Sequence, residues 1–232
     1  MPQAHIHLDN PSVAAAFANY LSQTLKKADV FHLALSGGST PKLLFTELAE
    51  HYGDQIDWQK VHLYWGDERC VPPEDDESNY KMTKEKLLSL IDLPEGNIHR
   101  IRGEANPQEE AQRYAKLLQK QLPSVNGVPV FDLVLLGMGS DGHTASIFPD
   151  RMDFLKGDEI CVVATHPDSG QQRISLTGSV INAAKQIHFL VTGAAKAPIV
   201  KQIFSQQGTY LVYPAAHIKA TAWWLDTTAI WA

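Results

Sequence analysis

The residues best equipped for chemistry lie in one stretch, GMGSDGHTAS, running from Gly137 to Ser146. Glycines around Asp141 and His143 let the backbone approach a ligand closely, and they present an imidazole with a carboxylate two residues away. An imidazole with a reference pKa of about 6.5 takes a proton from water near neutral pH, which a lone Ser or Lys does less readily. The expected chemistry is general-base catalysis, with His143 as the base, Asp141 as its support and water as the nucleophile. GMGSDG also matches the dinucleotide pattern GxGxxG. It occurs late in the chain, however, and the next strand ends in no clear acidic counterpart except Asp168, so nicotinamide binding is set aside.

Three further segments carry unusual chemistry. SGGSTP, Ser36 to Pro41, combines two glycines with hydroxyls just before a helix. Gly37, Gly38, Ser39 and Thr40 therefore read as a phosphate cradle, against the plainer alternative of a tight turn with ordinary capping. The spacing is not that of a nucleoside triphosphate loop. WGDER, Trp65 to Arg69, places Asp67 and Glu68 beside a fixed cation after an apolar strand. This set suits sugar hydroxyls and a carbonyl or phosphate, or else a solvated ion pair. TGAAKAP, Thr192 to Pro198, puts Lys196 in the first turn of a helix, where a cation is unfavourable unless an anion is held there. Arg173, opening the apolar stretch RISLT, is either a second anion ligand or a strand-edge surface charge.

The other histidines read differently. His5 and His7 alternate on a strand without a third ligand, so no metal site is expected and both are taken as surface residues. His32, His62 and His188 lie within apolar strands and read as packed core residues. His99, His166 and His217 lack a glycine-rich setting. Cys70 and Cys161 are far apart, outside any CxxC spacing, and read as reduced.

These side chains must be positioned by a scaffold, and the periodicity supplies one. Apolar runs bounded by turn residues alternate with amphipathic stretches, the pattern of repeated βα units. Strands are predicted over 4–8, 30–35, 61–65, 130–136, 160–165, 186–192 and 221–225, and helices over 11–27, 40–51, 78–91, 107–121, 177–184 and 195–206. Runs such as FDLVLL imply burial on both faces. The fold class is therefore a single α/β domain over 1–232, a Rossmann-like, mostly parallel sheet covered by helices on both faces. Thr40-Pro41 and Asn106-Pro107 read as N-caps followed by Pro at the first helical position. In such sheets ligands gather beyond the carboxyl ends of strands, which is where the four segments fall.

Composition limits the function classes. The 232 residues are 44% hydrophobic and 20% charged, with a formal charge of −6 and a pI near 5.9. That balance argues against a nucleic-acid surface but permits a local cationic pocket for a small anion. The start, MPQAHIHLDN, has no signal-peptide pattern, and no apolar run is long enough to span a bilayer, so cytoplasmic residence is expected.

Taken in order, SGGSTP, WGDER, GMGSDGHTAS and TGAAKA resemble the 6-phosphogluconolactonase and glucosamine-6-phosphate isomerase superfamily over nearly the whole chain. WGDERCVP, the following Ser78-Asn79-Tyr80 and DGHTASIFP are phrased as in the lactonase branch. The isomerase branch has Asp-Glu-Tyr where this chain has Asp67-Glu68-Arg69, and Asn-Glu-Pro where it has Ile147-Phe148-Pro149. Loss of that glutamate removes an acid/base group an isomerase needs. The resemblance implies hydrolysis of 6-phospho-D-glucono-1,5-lactone in the oxidative pentose phosphate pathway, without metal or organic cofactor, by a monomer. It implies His143 as base, Asp141 as its orienter, and Arg69 as oxyanion stabiliser or substrate ligand. Lys196, Arg173 and the 37–40 cradle would hold phosphate, with Asp67 and Glu68 divided between hydroxyl binding and loop structure. A sugar-phosphate isomerase and a non-catalytic sugar-phosphate sensor are the alternatives.

Overall fold

The computed structural model describes residues 3–231. In chain order the strands are β1 (Gln3–His7), β2 (Phe31–Leu35), β3 (Val61–Trp65), β4 (Asp67–Arg69), β5 (Ile98–His99), β6 (Ser124–Val125), β7 (Val128–Pro129), β8 (Leu133–Leu136), β9 (Cys161–Thr165), β10 (Gln172–Leu176), β11 (Ile187–Val191) and β12 (Ala222–Asp226). The α-helices are α1 (Asn10–Leu25), α2 (Ser39–Tyr52), α3 (Asn79–Lys86), α4 (Pro107–Gln121), α5 (Gly178–Ala183), α6 (Ala197–Ser205) and α7 (Thr228–Trp231).

Seven strands form one sheet in the order β1-β12-β11-β8-β2-β3-β5, and every pairing in it is parallel. The central strands are buried throughout: LVLL of β8, IHFLV of β11 and AWWLD of β12. Burial on both faces explains why these segments read as continuous apolar runs. Consecutive residues of β12 show the two covers directly. Trp224 meets Phe17 of α1 edge-on at 5.2 Å, whereas Trp223 stacks on Phe189 at 4.1 Å and meets Phe204 of α6 at 5.5 Å.

The strand order reverses between β2 and β8. From β2 the chain proceeds outward through β3 to β5; from β8 it proceeds the other way through β11 and β12. Right-handed crossovers then place α1 to α3 on one face and α4 to α6 on the other. The loops after β2 and β8 leave the sheet in opposite directions and open a crevice between them.

Four expectations are corrected by the structure. The predicted strand at 160–165 is β9, and it lies in a separate antiparallel sheet ordered β4-β10-β9. The DER segment is β4 of that sheet rather than a loop, because Gly66 hands the chain from one sheet to the other. Gly66 N–H donates to Leu35 O and Gly66 O accepts from Leu176 N–H, each at 2.8 Å. Thr40 is not an N-cap: α2 begins at Ser39 with Gly38 as cap and no side-chain cap bond. Asn106 does cap α4, its Oδ1 accepting from the N–H groups of Gln108 and Glu109. The helix predicted over 78–91 ends at Lys86, where Leu87 leaves helical geometry (φ −139°). A hairpin at β6-β7 turns on Asn126 and Gly127, both at positive φ, a signal present in the sequence as Asn-Gly between valines.

Candidate active site

The crevice at the switch point is a cleft of about 240 Å³. The loop after β8 contributes the imidazole. His143 Nδ1 lies 2.6 Å from Asp141 Oδ1, which also accepts from the His143 backbone N–H at 3.1 Å. Burial by itself raises the Asp141 carboxyl, but the hydrogen bonds and charge of His143 outweigh it and hold the group down at about 2. An ionised carboxylate only accepts, so Nδ1 carries a proton, and in the neutral tautomer of that ring the lone pair is on Nε2. Asp141 stands behind the imidazole, and His143 lines the cleft.

Local backbone makes this pair possible. A Cβ on Gly139 would lie 2.2 Å from His143 Nδ1 and 2.4 Å from Asp141 Oδ1, so only glycine leaves room for them. Gly139 N–H donates to His143 O at 2.8 Å, closing the loop. The far side of the imidazole packs on fully buried Phe148, with ring centroids 4.9 Å apart. Ala145 holds φ +48°, a conformation disfavoured for a residue with a side chain. It turns the chain so that Ser146 points inward.

Across the cleft, α2 opens with Gly38 at φ +112°. Its cap has no side chain, so the amides of the first turn keep their donors for a ligand. Gly37 and Gly38 face the cleft with Ser39 and Thr40, and Thr40 Oγ1 shares a 2.8 Å hydrogen bond with Thr192 Oγ1. Gly37 has no space for a side chain, since Asn79 Oδ1 would lie 1.9 Å from its Cβ.

The cations come from two further places. Lys196 ends a 3-10 turn and caps α6, one position before the helix rather than within its first turn as predicted. Burial pushes its ammonium below the usual value, against the opposite pull of Asp141. Arg69 and Arg173 are direct cross-strand partners on β4 and β10, and both line the cleft. Like charges placed opposite each other are destabilising unless something negative joins them. Burial also pushes Arg173 below its usual value, Arg69 adding to this and Asp67 opposing it. Arg69 Nε is buried without a hydrogen-bond partner.

Alternation along β4 separates the two acids. Asp67 shares the face of Arg69, is buried in the cleft wall, and accepts from Ser146 Oγ at 2.7 Å. Glu68 points the other way. Its carboxylate accepts from the backbone N–H groups of Arg69, Asn79 and Tyr80, each at 2.8 Å, and from Ser78 Oγ at 3.1 Å. Glu68 thus anchors the start of α3 through these four hydrogen bonds. Burial raises its carboxyl, with those backbone donors pulling the other way. Among the described residues, no group of three or more His, Cys, Asp or Glu is arranged to hold a metal.

The model of the family described as glucosamine-6-phosphate isomerases/6-phosphogluconolactonase matches residues 10–231. The chain belongs to this family. It is 50% identical over 204 residues to a 6-phosphogluconolactonase of Haemophilus influenzae, covering 86% of each chain. It is 41% identical over 221 residues to a 6-phosphogluconolactonase of Treponema pallidum, covering 95% of this chain and 89% of that one. The crystal structure of a devB protein aligns with a TM-score of 0.94 at 46% identity, over 99% of this chain and 98% of the other.

In this member of the glucosamine-6-phosphate isomerase/6-phosphogluconolactonase family, two buried residues of the site escaped the sequence reading. Asn79 wedges against Gly37 and donates Nδ2–H to Asp67 O at 3.0 Å, and Ser146 orients the Asp67 carboxylate. Both sit inside quoted motifs, but their partners are distant in sequence and only the fold brings them together. His143 is the histidine that lines the cleft. His188 is indeed buried, with its Nδ1 accepting from Trp224 Nε1 at 3.1 Å. His5, read as a surface residue, is partly covered by stacking on Trp224 at 4.1 Å. His99 is buried as well, its Nε2 lying 3.1 Å from His62 Nδ1.

Proposed function

We propose that the chain hydrolyses 6-phospho-D-glucono-1,5-lactone to 6-phosphogluconate, a step of the oxidative pentose phosphate pathway. The observation that carries this reading is the 2.6 Å pair of Asp141 and His143 facing a cleft with Arg69, Arg173 and Lys196. The relatives named 6-phosphogluconolactonase support it.

In this mechanism His143 Nε2 takes a proton from water as the oxygen attacks the lactone carbonyl carbon. Asp141 keeps the ring in the right tautomer and stabilises the imidazolium that forms. Arg69, held in place beforehand, stabilises the developing oxyanion. The tetrahedral species collapses with cleavage of the bond to the ring oxygen, which receives the proton back from His143. The first turn of α2, Lys196 and Arg173 bind the phosphate and so fix the carbonyl beside the base. Asp67 accepts a hydrogen bond from a sugar hydroxyl. The chain works as a single α/β domain and a monomer in the cytoplasm, without nucleic-acid or membrane partners and without a cofactor.

The isomerase reading is weaker. It needs a further acid/base group, and the position where the isomerase phrase carries glutamate is occupied by Phe148, packed against the imidazole. The deciding experiment follows acid release from freshly generated 6-phosphogluconolactone and subtracts spontaneous opening. His143→Ala is expected to fold normally and lose at least about a hundredfold in kcat. Lys196→Ala is expected to remove the preference over unphosphorylated gluconolactone. Near-wild-type turnover of His143→Ala would sink the role given to that histidine.

A further inference from the structure

Arg69 and Arg173 face each other across β4 and β10, and each is tethered at the mouth of the cleft. Arg173 Nε donates to Gln171 Oε1 at 3.3 Å. The amide nitrogen of the same side chain donates to Glu77 Oε2 at 2.8 Å. Arg69 Nη1 in turn donates to the backbone carbonyl of Glu77. One chain of hydrogen bonds thus runs from Arg173 through Gln171 and Glu77 to Arg69. It joins the turn between β9 and β10 to the acidic stretch 72–78 that leads into α3.

We propose that Gln171 and Glu77 are positioning residues, a clasp that fixes the two guanidinium groups for an anionic ligand. A free arginine side chain carries about 2 kcal/mol of rotamer entropy, and two like charges side by side would otherwise turn away from each other. Gln171 occupies Nε of Arg173 and leaves both Nη groups for a ligand. The Glu77 carbonyl occupies Nη1 of Arg69 and leaves Nη2. Gln171 suits this place because its amide both accepts and donates, so it links a cation to a carboxylate in a way neither Glu nor Lys does. The side chains of Gln171 and Glu77 lead to Arg173, while Arg69 keeps its bond to the Glu77 backbone carbonyl whatever side chain stands there. Substitutions of these two side chains therefore act on ligand binding through Arg173 and leave the oxyanion role given to Arg69 in place. The identity of the ligand as a phosphorylated lactone rests on the function proposed above.

The test compares Gln171→Leu, Glu77→Ala, their double variant and Glu77→Gln in the full chain. Gln171→Leu and Glu77→Ala are each expected to raise KM for the phosphorylated lactone about three- to tenfold, the worth of one such hydrogen bond, with kcat within about twofold. The double variant is expected to be no worse than the poorer single one, because both cut the same chain. Glu77→Gln retains an acceptor for Gln171 and is expected to stay near wild type. An unchanged KM in Gln171→Leu, additive losses, or Glu77→Gln failing like Glu77→Ala would each overturn the clasp. Calorimetric titration with inorganic phosphate gives a second readout, in which the same pattern should appear in Kd. Absence of lactone turnover in the wild-type chain would defeat the proposed function, while the phosphate titration would still judge the clasp.

Discussion

The cleft has two walls of different construction. One is built from loops that pass from a parallel strand into a helix or turn, and it offers backbone amides, an imidazole and glycines. The other is the small antiparallel sheet, which offers Asp67, Arg69 and Arg173 from strands in register. The first wall owes its geometry to backbone conformation, as at Gly38 and Gly139. The second owes it to pairing, since a shift of one residue would turn Arg69 away and Glu68 toward the cleft. Glycine substitutions should therefore damage the first wall most, and lost side-chain bonds the second.

The largest expected effect tests the first wall. Gly139→Ala forces a Cβ into the Asp141–His143 pair, and the pair must separate because the contact is with both of its polar atoms. We expect kcat to fall by about a hundred- to ten-thousandfold, the range for losing a positioned base, with little change in Tm. A Gly139→Ala variant that keeps wild-type kcat would show that the imidazole does not depend on its backbone seat.

The scaffold beneath the first wall also predicts a pH response. His188 is buried in β11, and burial lowers it to about 4, with His5 contributing in the same direction. Its Nδ1 already accepts from the Trp224 indole, so a second proton would set two N–H groups against each other. His99 on β5 is lowered to about 4 by burial and by His62 and His32. Above the unfolded value of about 6.5 these rings are neutral in both states, and their contribution is fully present. As pH falls toward 4 the unfolded chain takes up protons that the folded chain refuses, so stability is lost across that window. For His188, buried between the helices and the sheet, a displacement of this size corresponds to about 3 kcal/mol. Urea unfolding between pH 7.5 and 4 should show the decline, and His188→Gln, which keeps an acceptor for Trp224, should make it shallower. An unaltered slope in that variant would remove His188 from the explanation.

The two walls also differ in how far the sequence exposes them. His143, Asp141 and the Gly37-Gly38 turn announce themselves because glycine clusters beside polar residues have few other uses, and the alternation of apolar runs gives the parallel sheet. Arg69 and Arg173 were named individually, yet their meeting was not legible, because nothing local fixes the pairing of strands more than a hundred residues apart. For the same reason DER looked like a loop, and β9 looked like another member of the main sheet: its run ICVVAT is as apolar as a parallel strand. The role of Glu68 was hidden because its partners, the amides of residues 79 and 80, exist as a site only once α3 starts beside β4. Thr40 misled for a different reason, as the Ser-Thr-Pro sequence offers a plausible cap while Gly38 already begins the turn.

Ser146 joins the two walls and gives the smallest of the effects. It belongs to the loop after β8, but its Oγ donates to Asp67 at 2.7 Å and its N–H donates to Ser175 Oγ at 3.1 Å, both partners lying in the antiparallel sheet. Ser175 O–H donates to Leu176 O at 2.9 Å, so every hydrogen bond in this short network has one direction. Ser146→Ala leaves a buried carboxylate oxygen without its donor, a loss of about 2 kcal/mol, or about 4–8 °C in Tm for a chain of this size. Ser175→Ala removes only an acceptor from a neutral N–H and should cost about 1 kcal/mol. Thermal unfolding of the two variants ranks these contributions. A larger loss for Ser175→Ala would mean that the seam is held by the backbone amide, and that Asp67 is oriented by its strand rather than by the loop that carries His143.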